Sequence, residues 1–578
     1  MSNNKLSRTN VTKEYDGFTG IDISKTLSGE GGIKSLTDFR LRFDGALEKR
    51  SGFELFTTFT GNVRAVYQFS SSTLLLLVNR TVYLLYLSTG GAKPLNDIGT
   101  SSGEATFFSY NGNIYLIDGN EIYVMRDEYF FSANGYIPLY GKEWHPLTGG
   151  EVNEPLNILT QKIRISFVIP GTGTYNFKLP LFTQRIEYAT LNGKPEEVTN
   201  YSLSSDNMMV YSQTSYEYGD IVELFLTISN IYVDPTLITR CHSAAVYGDG
   251  SAGADKVFIA FYNGSNKNII FPTSSVSDEQ LKICNDAFRG VISNIYVKGD
   301  SAISANDGKG NIVDVCQKDK GLMVFTDDRA FMLTSDETGK NHFVRVSLGT
   351  GCSSPRGAII SDDTPITVSY YGIYKWDPSS YEEGEYRARC ISRPVGELLD
   401  DGFFSTAIAY HYRKKGELWF CNPSDPRGTV LIYSIDAEAW YVFTGIGAEF
   451  FFEYNGELGF IKGNKAYIFS GDKVSDSVDG SENEVNARFE SGIISFGGFW
   501  EKKRLARCII RTSPGATVKL TITDAEGREE IFELSDGSDE RIGFIDKRLT
   551  LHRSRHYSFS VETSQSATIY GITLVAVD

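Results

Sequence analysis

The best-spaced pair of metal-ligand side chains is His552 and His556, which lie four residues apart in "HRSRH". On a helix, that spacing places two imidazoles on one face, where they can share a metal ion. The surrounding sequence, "RLTLHRSRHYSFSV", instead favours strand and turn, because apolar and polar residues alternate in it. The pair therefore predicts no metal site.

Phosphate binding and glycoside hydrolysis are the other chemistries that the residue types permit. The segment "GEGG" at 29–32 is the nearest match to a phosphate-binding loop, but it has no Lys-Ser/Thr pair and no following helix. Asp and Glu total 72, so two carboxylates could come close in space, as a glycosidase requires. The Asp-box repeat of sialidase-type propellers is nevertheless absent. We predict no catalytic, cofactor-binding or metal-ligating residue.

Two rarer residue types point to structure rather than chemistry. The seven Cys occur without a CxxC pair and are predicted to be reduced and mostly buried. The five Trp share no repeated motif, so we interpret them as core residues and not as sugar-binding platforms. The residues are Cys241, Cys284, Cys316, Cys352, Cys390, Cys421 and Cys508, and Trp144, Trp376, Trp419, Trp440 and Trp500.

Net charge limits the partners of the chain. The formal net charge is −16, whereas binding by phosphate neutralisation needs a surplus of Lys and Arg on one face. The densest basic run is "EKKRLARCIIR", Glu501–Arg511. It either contacts DNA or an acidic partner, or forms the solvated face of a strand whose other face carries Leu505 and Ile509. We favour the second interpretation.

Targeting signals are the next constraint. The N-terminus, "MSNNKLSRTNVTKEYDG", has no apolar signal-peptide core. The longest aliphatic run, Leu74–Val78, is far shorter than the roughly 20 residues of a membrane-spanning helix. Together with the unpaired Cys, these features predict a protein made in a cytoplasm, with no membrane insertion.

The elements that would position any functional residue are hairpins. A short apolar strand, a polar turn and a second apolar strand recur along the chain, as tight β-hairpins require. In most intervals the copies begin about 40 to 52 residues apart, which is the period of β-propeller blades. The copies are Ser72–Leu85, Gly112–Met125, Asp255–Phe271, Lys320–Leu333, Thr364–Trp376, Gly416–Ser434 and Gly456–Phe469.

We therefore predict an all-β fold, an irregular β-propeller of about six to eight blades with an inserted β-sandwich domain and a C-terminal β region. The insert occupies the long gap after the second hairpin, and an overgrown blade is the alternative. The gap after the third hairpin is predicted to hold a longer loop or a partial blade. The predicted regions are 1–60, N-terminal arm and entering strand; 61–149, first blades; 150–235, inserted β-sandwich; 236–485, remaining blades; and 486–578, either a second sandwich or ring-closing strands.

The opening segment "DFRLRFDGALEKRSGFELF" contains the pattern D-G-x-L-x-K-R-x-G. It resembles the opening of tail tubular, or nozzle, proteins of short-tailed phages and of related head-completion or stabilisation proteins. Phrases at 240–271 and 349–363 follow in the same order, and the resemblance covers most of 30–511. Ser51 stands where relatives often have Pro, and the insert is not universal among them. The pattern residues are Asp44, Gly45, Leu47, Lys49, Arg50 and Gly52.

The resemblance implies a structural virion protein and not an enzyme. Such a subunit forms a hexameric tail nozzle or hub ring, assembles in the host cytoplasm, and contacts portal or adaptor proteins and tail fibres or spikes. Viral DNA passes through the ring during ejection. Lys49 and Arg50 would contact a neighbouring blade or subunit, with an exposed basic turn as the alternative.

Two other function classes compete with this one. A secreted carbohydrate-binding or carbohydrate-active propeller is disfavoured by the missing signal peptide and the unpaired Cys. An intracellular scaffold propeller would show WD or kelch repeats, and none is visible.

Two further expectations concern surfaces. The insert is expected on the outside of the ring, where it would dock fibres or a neighbouring subunit. DNA that must slide is expected to meet an acidic lumen, because neutralised phosphates would hold it tightly. Lys502, Lys503, Arg504 and Arg507 should then lie away from the lumen or pair with carboxylates.

Overall fold

A computed structural model of the chain confirms the predicted all-β class, with 58% of residues in strands and 5% in helices. Many small sheets, and not one large one, contain these strands. The structure describes residues 10–28, 30–99, 103–110, 112–234, 241, 243–247, 256–260, 269–274, 276–287, 295–299, 301, 303–304, 311–318, 321–335, 341–378, 386–498, 500–536 and 542–578.

Strands of the N-terminal half are numbered here in chain order. The opening strands are β1 (Val11–Asp16), β2 (Ile33–Thr37), β3 (Phe39–Leu41), β4 (Leu47–Lys49) and β5 (Phe53–Thr58). Sheet 1 contains β6 (Val63–Ser70), β7 (Thr73–Val78), β8 (Thr81–Tyr86) and β9 (Gly91–Asp97), and sheet 2 contains β10 (Thr106–Tyr110), β11 (Asn113–Ile117), β12 (Ile122–Arg126) and β13 (Tyr129–Ser132). The insert contains β14 (Leu139–Trp144), β15 (Lys162–Val168), β16 (Gly173–Lys178), β17 (Thr183–Leu191), β18 (Lys194–Glu196), β19 (Tyr201–Leu203), β20 (Met209–Tyr216) and β21 (Ile221–Ile228).

Five more sheets follow the insert. Sheet 3 contains β22 (Ser243–Tyr247), β23 (Lys256–Ala260), β24 (Ile269–Pro272) and β25 (Ile303–Ser304); sheet 4 contains β26 (Ile312–Lys318), β27 (Gly321–Thr326), β28 (Arg329–Ser335) and β29 (Asn341–Leu348). Sheet 5 contains β30 (Ala358–Ser361), β31 (Thr364–Ser369), β32 (Gly372–Pro378) and β33 (Tyr386–Cys390); sheet 6 contains β34 (Ile408–Tyr412), β35 (Glu417–Cys421), β36 (Val430–Ser434) and β37 (Ala439–Phe443). Sheet 7 contains β38 (Phe450–Tyr454), β39 (Glu457–Lys462), β40 (Lys465–Phe469) and the N-terminal β5.

The remaining elements are a hairpin, the C-terminal strands and short helices. The hairpin is β41 (Ser475–Val478) and β42 (Ser481–Glu484). The C-terminal strands are β43 (Ala487–Ser491), β44 (Arg504–Thr512), β45 (Thr517–Asp524), β46 (Glu529–Ser535), β47 (Gly543–Arg548), β48 (Tyr557–Thr563) and β49 (Thr568–Val577). The helices are α1 (Asp278–Ala287), α2 (Asp401–Thr406) and the 3₁₀ turns Ile23–Lys25, Val198–Asn200, Arg393–Leu398 and Arg413–Lys415.

Each repeated hairpin supplies the second and third strands of an antiparallel set of four strands. Six of these sets are separate four-stranded sheets, and the set β34–β37 is part of a nine-stranded sheet. The hairpin strands are continuous apolar runs because both faces of each sheet are covered. In β7, Leu74 and Leu76 pack with residues of sheet 7, whereas Leu75 and Leu77 pack with residues of sheet 2. Similar clusters fill the spaces between the other neighbouring sheets. Residues 255, 261–268 and 320 of the predicted hairpins lie outside the described residues.

The first strands of successive sheets contact one another from β6 through β10, β22, β26 and β30 to β34. Tyr410 of β34 then reaches β38, where its ring centroid lies 5.2 Å from that of Phe451. The Tyr410 hydroxyl also donates a 3.0 Å hydrogen bond to Glu453. Because β38 contacts β6 in turn, the contacts between neighbouring sheets form a cycle that returns to sheet 1.

The insert is a separate sandwich of a five-stranded and a three-stranded sheet with its own apolar core. It begins at β14 and not at the predicted residue 150, because Leu139–Trp144 pairs in parallel with β15. Asn157 tethers it to the sheets, since its side-chain amide donates to the carbonyls of Tyr136 (2.8 Å) and Ile295 (3.0 Å). The described part of the gap after the third hairpin contains α1, and not only the predicted loop or partial blade.

The first and last strands of the chain together form one sandwich, called here the terminal sandwich. Its first layer, the terminal sheet, has the order β3-β4-β49-β44-β47, with β1 also paired to β49. Its second layer, β2-β43-β48-β45-β46, continues sheet 6 through parallel pairing of β2 with β37. Tyr15 of the first layer packs edge-on against Phe489 and Phe559 of the second. Region 486–578 therefore contributes to a sandwich, while β5 is the strand that completes sheet 7.

Phe53 provides a test of how β5 holds sheet 7. Its buried ring lies 4.9 Å from that of Phe460 and 5.4 Å from that of Tyr467. We expect Phe53→Ala to lower the free energy of unfolding by about 3–5 kcal/mol, because it removes a large core side chain. Leu55→Ala on the same strand is the control, since Leu55 is 38% exposed. Equal losses for the two variants in urea denaturation would contradict this role of β5.

Candidate functional site

The segment Asp44–Gly52, which carries the D-G-x-L-x-K-R-x-G pattern, lies where the terminal sandwich meets sheets 6 and 7. It opens with a tight turn between β3 and β4, in which the Asp44 carboxylate accepts a 3.1 Å hydrogen bond from the backbone N–H of Ala46. Gly45 has a φ of +76°, and a Cβ there would lie 2.6 Å from the Cα of Gly17. Asp and Gly are therefore required by the shape of this turn.

The middle of the pattern is buried among neighbouring strands. Leu47 is fully buried in the largest apolar cluster of the structure. The Lys49 ammonium donates a 2.7 Å hydrogen bond to the carbonyl of Val474. Gly52 passes so close to the backbone of Ser475 that a Cβ has no room. These contacts attach the segment to the chain just before the β41–β42 hairpin.

Arg50, Asp38 and Asp476 form a buried ion cluster, called here the Arg50 cluster. Arg50 is 3% exposed, and its Nε donates to Asp38 Oδ1 at 2.6 Å. Its two terminal nitrogens donate to the two oxygens of Asp476 at 2.8 and 2.6 Å, and one of them also donates to the carbonyl of Thr444. Lys49 and Arg50 therefore contact other segments of the same chain, so the exposed-turn alternative is wrong. Whether those segments are propeller blades, or whether a second subunit is also contacted, stays a prediction.

Several residues singled out in the sequence lie elsewhere. His552 lies in a loop and His556 directly precedes β48, so neither is helical. Among the described residues, no group of three or more His, Cys, Asp or Glu side chains is placed to hold a metal ion. The seven Cys, all of which lie in the described part of the chain, form no disulfide, and all except Cys390 are buried.

The Trp prediction holds for four of the five residues. Trp144, Trp376, Trp419 and Trp440 are buried, but Trp500 is 80% exposed, so its interpretation as a core residue is wrong. The loop before β44 places it outside the terminal sandwich.

The basic run forms most of β44, as the strand interpretation predicted. Its buried residues include Leu505, Cys508 and Ile510, whereas Ile509 is only partly buried. A β-bulge between Leu505 and Arg507 shifts the strand register by one residue. The side chains after the bulge therefore point to the opposite face, so Ile509 does not share the buried face of Leu505 as predicted.

A polar cavity of about 630 Å³, called here the axial cavity, opens among the starts of the first strands. Five of its lining residues lie one or two positions before β10, β26, β30, β34 and β38, the first strands of five different sheets. A second cavity, of about 870 Å³, is lined by residues toward the far ends of β6, β30, β34 and β38. The residues that line the axial cavity just before those first strands are Glu104, Asn311, Arg356, Thr406 and Glu449.

Among the described residues that line the axial cavity, Arg356 is the cationic one. Its guanidinium carbon lies 4.6 Å from the centroid of the Phe450 ring, and one terminal nitrogen donates a 2.7 Å hydrogen bond to the carbonyl of Glu449. The Arg356 side chain still contacts solvent inside the cavity. Partial desolvation by the surrounding protein lowers its pKa, and the nearby carboxylate of Glu104 acts in the opposite direction. A fixed guanidinium among carboxylates suits a polar ligand with both donors and acceptors.

Two carboxyl groups near this cavity have raised pKa values. Burial, with Asp328 next to it, raises the pKa of Asp327, which lines the cavity. Burial also raises the pKa of Asp314 to about 8. The carboxyl of Asp314 accepts hydrogen bonds from the backbone N–H groups of Val315 (2.9 Å) and Ala358 (3.1 Å), and so links sheets 4 and 5. Acids of this kind suit proton transfer, but Asp314 is held as a structural link.

The axial cavity was missed in the sequence because its residues are single positions scattered over several hundred residues. The signal that could have found it is positional: a polar or charged residue directly before the first strand of a sheet. Glu449 directly precedes β38, and Arg356 lies two positions before β30.

Comparison with known proteins identifies no relative of this chain: no model of a known protein family matches it, and neither does any curated protein. In the described part of the chain, no helix is long and apolar enough to cross a membrane.

Removing the charge of Arg50 should be costly, because it leaves Asp38 and Asp476 buried without a counter-ion. We expect Arg50→Met to lower the free energy of unfolding by about 3–5 kcal/mol. The matched control is Arg488→Met, which breaks solvent-exposed ion pairs with Glu490 and Glu562 and should cost about 1 kcal/mol or less. A loss for Arg50→Met no larger than the control, measured by urea denaturation, would show that the cluster is not a structural lock.

Asp314 should make the protein less stable as the pH rises. Its folded pKa is raised, so between about pH 5 and pH 7 the folded state keeps a proton that the unfolded state has lost. The free energy of unfolding should then fall by about 1.4 kcal/mol per pH unit more in the wild type than in Asp314→Asn. Exposed Asp436→Asn is the control. Parallel pH profiles for the wild type and Asp314→Asn would exclude a proton held at this site.

Proposed function

We propose that this chain is a structural subunit of a phage tail, part of a nozzle or hub ring in the genome-ejection channel. The observation that carries the proposal is the Arg50 cluster. The pattern that resembles phage nozzle proteins is the one whose side chains fix the junction between the terminal sandwich and sheets 6 and 7. Because the side chains of this pattern hold the modules together here, its presence in phage nozzle proteins supports a similar architecture for both.

The architecture we propose is a seven-bladed β-propeller with two appended sandwiches. The cycle of contacts between first strands supports this arrangement. So does β5, an N-terminal strand that pairs with the last hairpin, since ring closure of this kind joins the two ends of a propeller. The axial cavity then lies at one mouth of the propeller's central channel.

The ring would be hexameric, with viral DNA passing between the subunits and not through the propeller of any one of them. Portal or adaptor proteins would contact it, and it would assemble in the host cytoplasm before becoming part of the virion. The insert would face outward and dock fibres or spikes, supported by exposed Tyr218 (80%) and Ile231 (75%) near its strands.

An acidic lumen remains part of the proposal. Lys503 pairs with Asp578 at 2.6 Å, and Arg507 Nε donates to Asp546 at 2.6 Å. Two of the four cations that could otherwise hold DNA are therefore already paired within the chain.

Carbohydrate binding or hydrolysis at the axial cavity is a second candidate function. It is favoured by the raised pKa of Asp327 in the same cavity as a fixed Arg356, since an acid and a guanidinium in one polar cavity suit sugar hydroxyls and acid catalysis. Hydrolysis of a polysaccharide that disappears in Asp327→Asn would favour this candidate over the structural one.

Immunogold electron microscopy tests the structural function directly. We expect antibodies against the purified chain to label one end of intact virions, at the tail, with several copies per particle. Averaged images of isolated tails should place the chain in a ring around the tail axis. Virions without label, or a single off-axis copy, would contradict the proposal.

A further inference from the structure

The outward face of the terminal sheet has two groups of charged side chains. Residues paired across neighbouring strands have their side chains on the same face of the sheet. Arg507 of β44 is paired with Val575 of β49 and Arg548 of β47, and Glu14 of β1 is paired with Thr573 of β49, so all of them share the outward face. One group lies on β44 and β47, and the other lies across β49 on β1 and β4. The cationic group is Arg504, Arg507, Arg511 and Arg548, and the anionic group is Glu14, Asp16 and Glu48.

Some of these charges are already balanced within the chain. Arg507 pairs with Asp546 on the neighbouring strand, and Arg511 lies 3.8 Å from Asp16. The other four form no ion pair within the described part of the chain, and all are exposed. These four are Arg504 and Arg548 on one side, and Glu14 and Glu48 on the other.

The terminal sheet also has unpaired backbone N–H and C=O groups along two of its edge strands, β47 and β1. Strand β47 pairs only with β44, and strand β1 pairs only with β49, among the strands that the structure describes. Phe544 on β47 is 55% exposed, and Ile542 just before it is 44% exposed. An open strand with exposed apolar residues is a template for pairing unless charges prevent it.

The charges on these two edges permit one arrangement and oppose the others. Asp546 of β47 is already held by Arg507, so the unpaired charge on that edge is Arg548, and on the β1 edge it is Glu14. Contact between two β47 edges or between two β1 edges would therefore bring unpaired charges of the same sign together. Contact between a β47 edge and a β1 edge brings opposite charges together. Head-to-tail contact of this kind is heterologous, and it closes a ring when the rotation between subunits allows.

We propose that neighbouring copies of this chain meet through the terminal sheet, with the β47 edge of one copy against the β1 edge of the next. The proposal rests on the proposed ring and names its contact surface. Each exposed ion pair strengthens binding by only about two- to five-fold. The contact should therefore be weak and should weaken further as salt screens the charges.

Charge reversal on each edge provides the test. The cationic-edge variant is Arg548→Glu on the edge strand β47 with Arg504→Glu on the adjacent β44. The anionic-edge variant is Glu14→Lys on the edge strand β1 with Glu48→Lys on β4, which pairs with the same side of β49. In sedimentation velocity at about 50 mM salt, the wild type should self-associate as its concentration rises. Each variant alone should associate at least about tenfold more weakly, because its two edges then have the same sign. An equal mixture of the variants should recover association, since reversed edges face each other with opposite charges.

The control is Lys519→Glu with Arg185→Glu, which reverses two exposed cations on the other layer of the sandwich and on the insert. It should associate as the wild type does. A wild type that stays monomeric, an edge variant that behaves like the control, or a mixture that fails to recover would each overturn the proposal. Edge variants that still enter virions as a ring would show that the contact is wrong while the tail function stands; a chain absent from virions would refute the tail function itself.

Discussion

The bidentate pairing of Arg50 with Asp476, closed on the other side by Asp38, is the interaction on which the joining of the modules depends. Buried ions gain little net stability against apolar packing, but they tolerate no missing partner. Here the partners come from segments roughly 400 residues apart in sequence. The N–H and hydroxyl of Thr444 also donate to Asp38, which fixes the end of β37 in the same network. One guanidinium thus sets the relative positions of sheet 6, sheet 7 and the terminal sandwich.

Around this junction the apolar contacts follow a simple rule. Most hairpin strands divide their apolar residues between two clusters, as in the alternating leucines of β7. The buried residues of β35 and β36 in sheet 6 instead belong to one large cluster. No single sheet has a core of its own. The stability of each sheet therefore depends on its neighbours. The insert is the exception, because it has a separate apolar cluster around Phe167 and Leu224.

The hairpins could be predicted from the sequence because strand, turn and strand are contiguous and uniformly apolar. The contact made by Arg50 was predicted only from the resemblance of its segment to phage nozzle proteins, and the structure adds the close backbone approaches at Gly45 and Gly52 on either side of it. The axial cavity could not, since Glu104 and Arg356 meet only after the sheets are arranged in space. The face of Ile509 depends on a bulge that leaves no mark in an alternating pattern, and the parallel pairing of β14 with β15 joins strands across a long loop.

The position of β5 in sheet 7 has a consequence for biosynthesis. Phe53 leaves the ribosome early, but its partner Phe469 follows roughly 400 residues later. At about 5–20 residues per second, translation leaves the β5 backbone without its native partner for about 20 to 80 seconds. During that interval the nascent chain carries an unsatisfied strand at risk of pairing wrongly, and sheet 7 is completed only after nearly the whole polypeptide has been made.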